Sequence, residues 1–162
     1  MLAKKSLRLI VIGAGVLFVL FVLFYPTDEK RVKEVAEAIV TAANTGEVEL
    51  GRALEEHASP EVSINVSELP EPVTGRDAIV ALVGQASRMG QKPSLRIEAV
   101  EVSVEGKRAR LNADLLTTAR PELPELRRPR HAVALFEKRA GRFRLVSVEI
   151  GAERRDQPEA RP

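Results

Sequence analysis

Between residues 28 and 89 the hydrophobic side chains recur every third or fourth position, and from Leu95 to Ile150 they recur largely every second. One change of period of this kind fixes a fold class, because helices gathered before strands give an α+β domain in which a helical layer covers a sheet. After Pro26, an N-cap from Thr27 or Asp28 and an acid in the first turn open a helix along Val32, Val35, Ala36, Ile39, Val40 and Ala43. Asn44, Thr45 and Gly46 close it. A second helix, residues 48–57, sets Leu50, Ala53 and Leu54 on one side and stops at Ser59-Pro60. Val62, Ile64 and Val66 then alternate with Glu61, Ser63 and Asn65 as a short strand, followed by a proline-bounded loop over 67–72. A third helix begins near Gly75-Arg76-Asp77, with Ile79, Leu82, Val83, Ala86 and Met89 on its apolar side.

Two long hairpins follow. In the first, residues 94–105 turn at Glu105-Gly106 into 107–120, which sets Val104 against Lys107, Val102 against Ala109 and Val100 against Leu111. That register puts Arg96 and Glu98 on the apolar face unless an extra residue near Glu98-Ala99 returns Ile97 and Leu95 to it, so a bulge and a sharp bend are expected there. The second hairpin runs from Arg130 to Ile150 across Ala140-Gly141 and places Glu137 opposite Arg144 as a cross-strand ion pair. Leu135, Val133, Val146, Val148 and Ile150 fall on one face and Phe136, Phe143, Leu145, Ala134 and Ala132 on the other. Both faces are then apolar, and covering both calls for the helices on one side and another subunit or partner on the other, unless a longer turn moves residues between faces.

Ahead of this domain, residues 9–25 form 17 consecutive positions with no charged or strongly polar side chain. The run is apolar on every helical face, and Phe24, Tyr25 and Pro26 stand where a signal peptidase would need small residues. It reads as an uncleaved single-pass transmembrane anchor behind a short basic tail, residues 1–8. Lys4, Lys5 and Arg8 before the run are matched in number by Lys30, Arg31 and Lys33 after it. The first group abuts the apolar run directly, which favours a cytoplasmic N-terminus and an extracytoplasmic, periplasmic domain. Residues 152–162 read as a disordered tail.

Composition removes several function classes. No cysteine and only two histidines leave neither a thiolate site nor a histidine-rich metal site, and neither cofactor nor metal is expected. Residues 28–87 hold 5 basic and 12 acidic side chains, and residues 88–162 hold 17 and 11. The basic half lacks interleaved aromatics, so the asymmetry does not point to nucleic acid.

Helix-helix-strand-helix followed by a bent four-stranded meander resembles the nuclear transport factor 2-like superfamily, which includes ketosteroid isomerase and polyketide-cyclase-like proteins. The stretch from Thr74 to Val83 (TGRDAIVALV) is similar to that superfamily's usual lead into its third helix, and Gly141 to Ile150 (GRFRLVSVEI) to its last strand. The resemblance spans residues 29–151. It implies a cone-shaped, cystatin-like domain over residues 28–151, three helices on a curved antiparallel sheet, often with an internal pocket and often dimeric through the sheet.

Such a fold hosts enzymes and mute binding modules alike, so the side chains must decide. An isomerase-like or cyclase-like site needs a carboxylate or histidine base and a donor for the developing oxyanion. The domain has no Tyr or Trp, Asp114 shares parity with Arg110 and Asn112 outside the pocket, and Asp77 sits in a helix's first turn. His57, at the end of the second helix, is the remaining candidate base, against a plainer role at the last helical carbonyls. For contact with a ligand or partner the candidates are His131 and the proline-stiffened loop 120–130, whose Arg127, Arg128 and Arg130 suit anionic headgroups or an acidic surface, against the reading of a merely solvated loop. Small Ala109, Ala113, Ala132 and Ala134 leave room beside the sheet. The reading is therefore a membrane-anchored, non-catalytic domain that binds an unidentified protein partner or assembles as a homodimer through the sheet. A small-molecule-binding or isomerase-like pocket is the alternative.

Overall fold

The computed structural model describes residues 27–89, 94–118 and 129–153. Helices α1 (Asp28–Thr45), α2 (Glu47–His57) and α3 (Arg76–Arg88) cover one face of a curved sheet of strands β1 (Ala58–Val66), β2 (Val73–Thr74), β3 (Ser94–Glu105), β4 (Arg108–Thr118), β5 (Pro129–Arg139) and β6 (Arg142–Glu153). The run 9–25 lies outside the described residues, and among those described no helix is long and apolar enough to cross a membrane. Residues 154–162 also lie outside, while β6 continues to Glu153, two residues into the span read as a tail.

The α+β class and the order of elements follow the sequence. The pairing of the sheet does not, because its order is β2-β1-β6-β5-β4-β3 and β1 runs parallel to β6, making the sheet mixed. Hairpin partners are announced by the turn between them, whereas nothing local marks a first strand that pairs with the last.

Thr27 caps α1, its Oγ1 accepting from Lys30 N at 3.3 Å. Gly46 both ends α1 and starts α2. Its N–H donates to the Ala42 carbonyl and its own carbonyl accepts from Leu50 N, each at 3.0 Å, so the chain reverses around one residue. Asn44, expected only to end a helix, reaches the edge of the sheet. Its Nδ2 donates to the Leu95 carbonyl at 2.7 Å and its Oδ1 accepts from Leu95 N at 2.6 Å. This clasp fixes the end of α1 to the start of edge strand β3, where no further strand would satisfy those groups. Asn44→Leu strands both backbone groups and is expected to lower stability by about 1–3 kcal/mol, read from urea melts, with the amide of Leu95 losing its hydrogen-exchange protection.

The inner face of α3 is rotated from the one its sequence suggests. Ile79 is buried and Val80 and Val83 pack on the core, but Leu82 and Met89 are 40% and 68% exposed. The close approach of α2, which brings Glu47 against Gly84, selects that side of the helix.

The loop of the first hairpin is Gly106-Lys107, one residue later than expected, with φ +60° at Gly106. Val104 therefore faces Ala109, and Val102 faces Leu111. The slip is two positions in partner number, which keeps every side chain on its face. Beyond it the expected bulge is present. The register shifts between Glu98 and Glu101, Ala99 adopts φ +49°, and Ile97 and Leu95 return to the core side. In the second hairpin Glu137 pairs with Arg144 in register and Arg139 with Arg142, as expected. A second bulge, at Val146, then sets Ala134 against Val148 and Ala132 against Ile150. Val148 and Ile150 thus join the inner face rather than the outer one.

Candidate functional site

The bulges at Ala99 and Val146 help to curl the sheet around a cavity of about 180 Å³ between it and the helices. Alanines on both sides create it. Ala36 and Ala43 of α1 look across at Ala113, Ala132 and Ala134, and in the sheet Ala113 lies opposite Ala132 and Ala134 opposite Leu111. Larger residues close the chamber round: Leu50 and Leu54 of α2, Ile79 and Val83 of α3, Phe136, Leu145, Val148 and Ile150 of the sheet. Nearer the hairpin turns, Val32, Ala109 and Phe143 are buried without lining it, so only three of the four alanines singled out in the sheet make space.

Every side chain lining the chamber is apolar. Asp114 alternates with the lining residues Ala113 and Leu115 and stays outside, as its parity requires. Side chains of this kind can exclude water and make dispersion contacts; they can neither move a proton nor stabilise an oxyanion. An engineered cavity of about 150 Å³ with the same sort of lining stays dry and takes up benzene or xenon.

His57 does not reach the chamber. Although residues 50, 54 and 57 share a helical face, His57 emerges past its end, in a surface groove with Arg31, Glu34, Arg142 and Phe143. Its Nε2 lies 3.8 Å from Glu56 Oε2, and its side chain is 26% exposed. His131 is on the outer face of β5, more than half exposed, with Nδ1 3.9 Å from Asp114 Oδ1 on β4. Arg127 and Arg128 lie outside the described residues. Arg130 makes a two-pronged contact with Glu68, Nη1 to Oε2 and Nη2 to Oε1 both at 2.8 Å, and its guanidinium holds the Glu68 carboxyl below the usual carboxylate range. The candidate residues are therefore scattered over two ends of the domain. Among the described residues no cluster of His, Asp or Glu is arranged to hold a metal ion.

The expected Glu137–Arg144 ion pair is replaced by other partners. Arg139 Nη2 takes the Glu137 carboxylate at 2.7 Å, while Arg144 Nη1 donates to the Ala58 carbonyl at 3.4 Å. Arg76, read only as part of a helix start, also serves that corner, donating from Nη2 to the Ala58 carbonyl at 2.5 Å and from Nε to that of Ser59 at 3.3 Å. Together these arginines satisfy the backbone where α2 passes into β1.

A family model described as a SnoaL-like domain matches residues 32–150. No curated protein matches the chain. Among solved structures, a nuclear transport factor 2-like protein of unknown function from Pseudomonas putida is similar with a TM-score of 0.65 at 10% identity, over 80% of this chain and 89% of its own. One with a cystatin-like fold from Novosphingobium aromaticivorans has a TM-score of 0.59 at 22% identity, covering 89% and 91%. A proposed dehydratase from Streptomyces avermitilis has a TM-score of 0.60 at 18% identity, covering 79% and 97%. At these identities the likeness is one of fold, and the nuclear transport factor 2-like architecture expected from the sequence stands.

Proposed function

We propose, from the premise that this chain belongs to the SnoaL-like domain family, that it is a membrane-anchored, non-catalytic module which holds a small apolar ligand between its helices and its sheet. The observation that carries this reading is the chamber's lining, apolar at every side chain. Its volume suits a single ring or a short alkyl segment. An isomerase-like or cyclase-like reaction would need a base and an oxyanion donor there, and the lining supplies neither. Residues 9–25 are the anchor, with the N-terminus cytoplasmic and the domain on the other side of the membrane. Assembly through the outer sheet face has less behind it than the sequence promised. With Val148 and Ile150 turned into the chamber, β5 still offers there Leu135, 43% exposed, and the half-buried Val133.

The test is methyl NMR on the full chain in lipid nanodiscs under xenon. The methyls of Ala113, Ala132 and Ala134 are expected to shift while that of exposed Ala81 does not. Ala134→Leu should abolish those shifts and, by filling space, raise stability by about 0.5–2 kcal/mol. Unmoved chamber methyls, or equal movement at Ala81, would refute the reading.

A further inference from the structure

The apolar run 9–25 ends two residues before Thr27, which already caps α1. Two or three residues of chain reach about 10 Å at most, so whatever holds that run holds the first turn of α1 close by. The same turn is fastened to the β5–β6 hairpin, where Lys138 Nζ donates to Asp28 Oδ2 at 2.8 Å and lies 5.2 Å from the centre of the Phe143 ring. Lys138 N in turn donates to the Lys107 carbonyl at 2.6 Å, which brings the β3–β4 turn alongside. The start of α1 and both hairpin tips therefore make one end of the domain. Loop 67–72, the Asn44–Leu95 clasp and the strand ends at Thr118 and Pro129 make the other, separated from the tips by the 11 residues of β4, a length of about 35 Å.

This end is basic. The tips carry Lys107, Arg108, Lys138, Arg139, Arg142 and Arg144 against Glu105 and Glu137. Lys138 is engaged by Asp28 and Arg139 by Glu137, whereas Lys107, Arg108 and Arg142 are exposed and have no ion-pair partner among the described residues. We propose that the two hairpin tips rest on the membrane and bind anionic phospholipid headgroups, so that the domain stands on the bilayer by this end with loop 67–72 outermost. The inference depends on residues 9–25 being the anchor; charge complementarity and the position of that anchor relative to the tips then select lipid as the occupant. The end of β4 and the start of β5, which flank the stretch whose arginines suggested headgroup contact from sequence, lie at the opposite end.

The chain has no cysteine, so a single introduced thiol can be labelled in the full-length protein without background. Ser103→Cys beside the tips and Glu71→Cys at the far end, both exposed positions, would carry a fluorophore in vesicles whose headgroups bear a nitroxide quencher. With phosphatidylglycerol mixed into phosphatidylcholine, quenching at position 103 is expected to exceed that at 71 about fivefold, and high salt or the combined Lys107→Gln, Arg108→Gln, Arg142→Gln variant should remove most of the difference. An alkaline carbonate wash separates the two ways to fail. Release of the chain from the vesicles overturns the anchor and the inference together. A retained chain quenched equally at both positions overturns the inference alone. So does a retained chain whose quenching at 103 ignores phosphatidylglycerol, an outcome that would leave the basic end to an acidic protein partner.

Discussion

Replacing Phe136 with alanine is expected to remove about 3–5 kcal/mol of folding stability, a large share of the roughly 5–15 kcal/mol that a domain of this size has. The ring is 2% exposed, sits between Ala109 on β4 and Leu145 on β6, and forms part of the chamber wall. The adjoining volume is already empty, so the void left behind would merge with the chamber. In urea the midpoint should fall with little change in slope. Because the enlarged chamber would take a larger ring, saturating indole or naphthalene should recover part of the loss by mass action, as RT ln(1 + [L]/Kd). A loss of stability of well under 1 kcal/mol would mean that the wall collapses easily and that the chamber is not held open by its frame.

The second large effect comes from giving the chamber the carboxylate it lacks. Ala113 is 2% exposed and faces the empty volume, so Ala113→Asp fits sterically but must shed its hydration. Burial without a partner favours the neutral acid and raises the folded-state pKa above the ordinary value of about 3.9. An acid whose pKa is higher in the folded state destabilises that state as pH rises. The variant should therefore show its smallest deficit near pH 4, the cost of burying a neutral carboxyl without a partner, and lose further stability steadily up to the raised pKa, about 4 kcal/mol more for a shift of about three pH units. Urea melts across pH 4 to 8 would show the slope, which the parent should lack at this magnitude. A variant whose deficit does not change with pH would place water in the chamber.

These effects depend on features that the sequence disclosed unevenly. The helices, their order and the bend at Ala99 were legible because each has a local cause: a 3.6-residue repeat, a glycine corner, or a parity conflict between Arg96-Glu98 and Ile97-Leu95 that one extra residue resolves. The alanine cluster that makes the chamber was visible for the same reason. Besides the pairing of β1 with β6, three features of register and facing were not. Glycine suits either place in a two-residue loop, so Glu105-Gly106 and Gly106-Lys107 could not be told apart while the faces stayed the same. The bulge at Val146 leaves no signal in a stretch where Leu145, Val146 and Val148 are all apolar and either parity looks acceptable. The side of α3 that faces in is set by α2 across a gap that holds Gly84, a tertiary choice among apolar residues present on both sides. Of the candidate site, the position of Asp114 outside the chamber was readable from its parity with Arg110 and Asn112. The position of His57 outside the chamber was not, since it depends on where the cavity ends.

The parallel partnership of the first and last long strands also governs how the protein comes off the ribosome. Before β6 exists, β1 has only the two residues of β2 to pair with, and even the contact of Ser67 with Ile150 spans 83 residues. Strand β1 therefore cannot be sealed into the sheet until β6 has cleared the exit tunnel, although α1 can already be clasped to β3 through Asn44 and Leu95. Until then the apolar faces that β6 covers wait exposed, an interval in which a nascent chain of this topology needs a chaperone more than a helical bundle of equal length would.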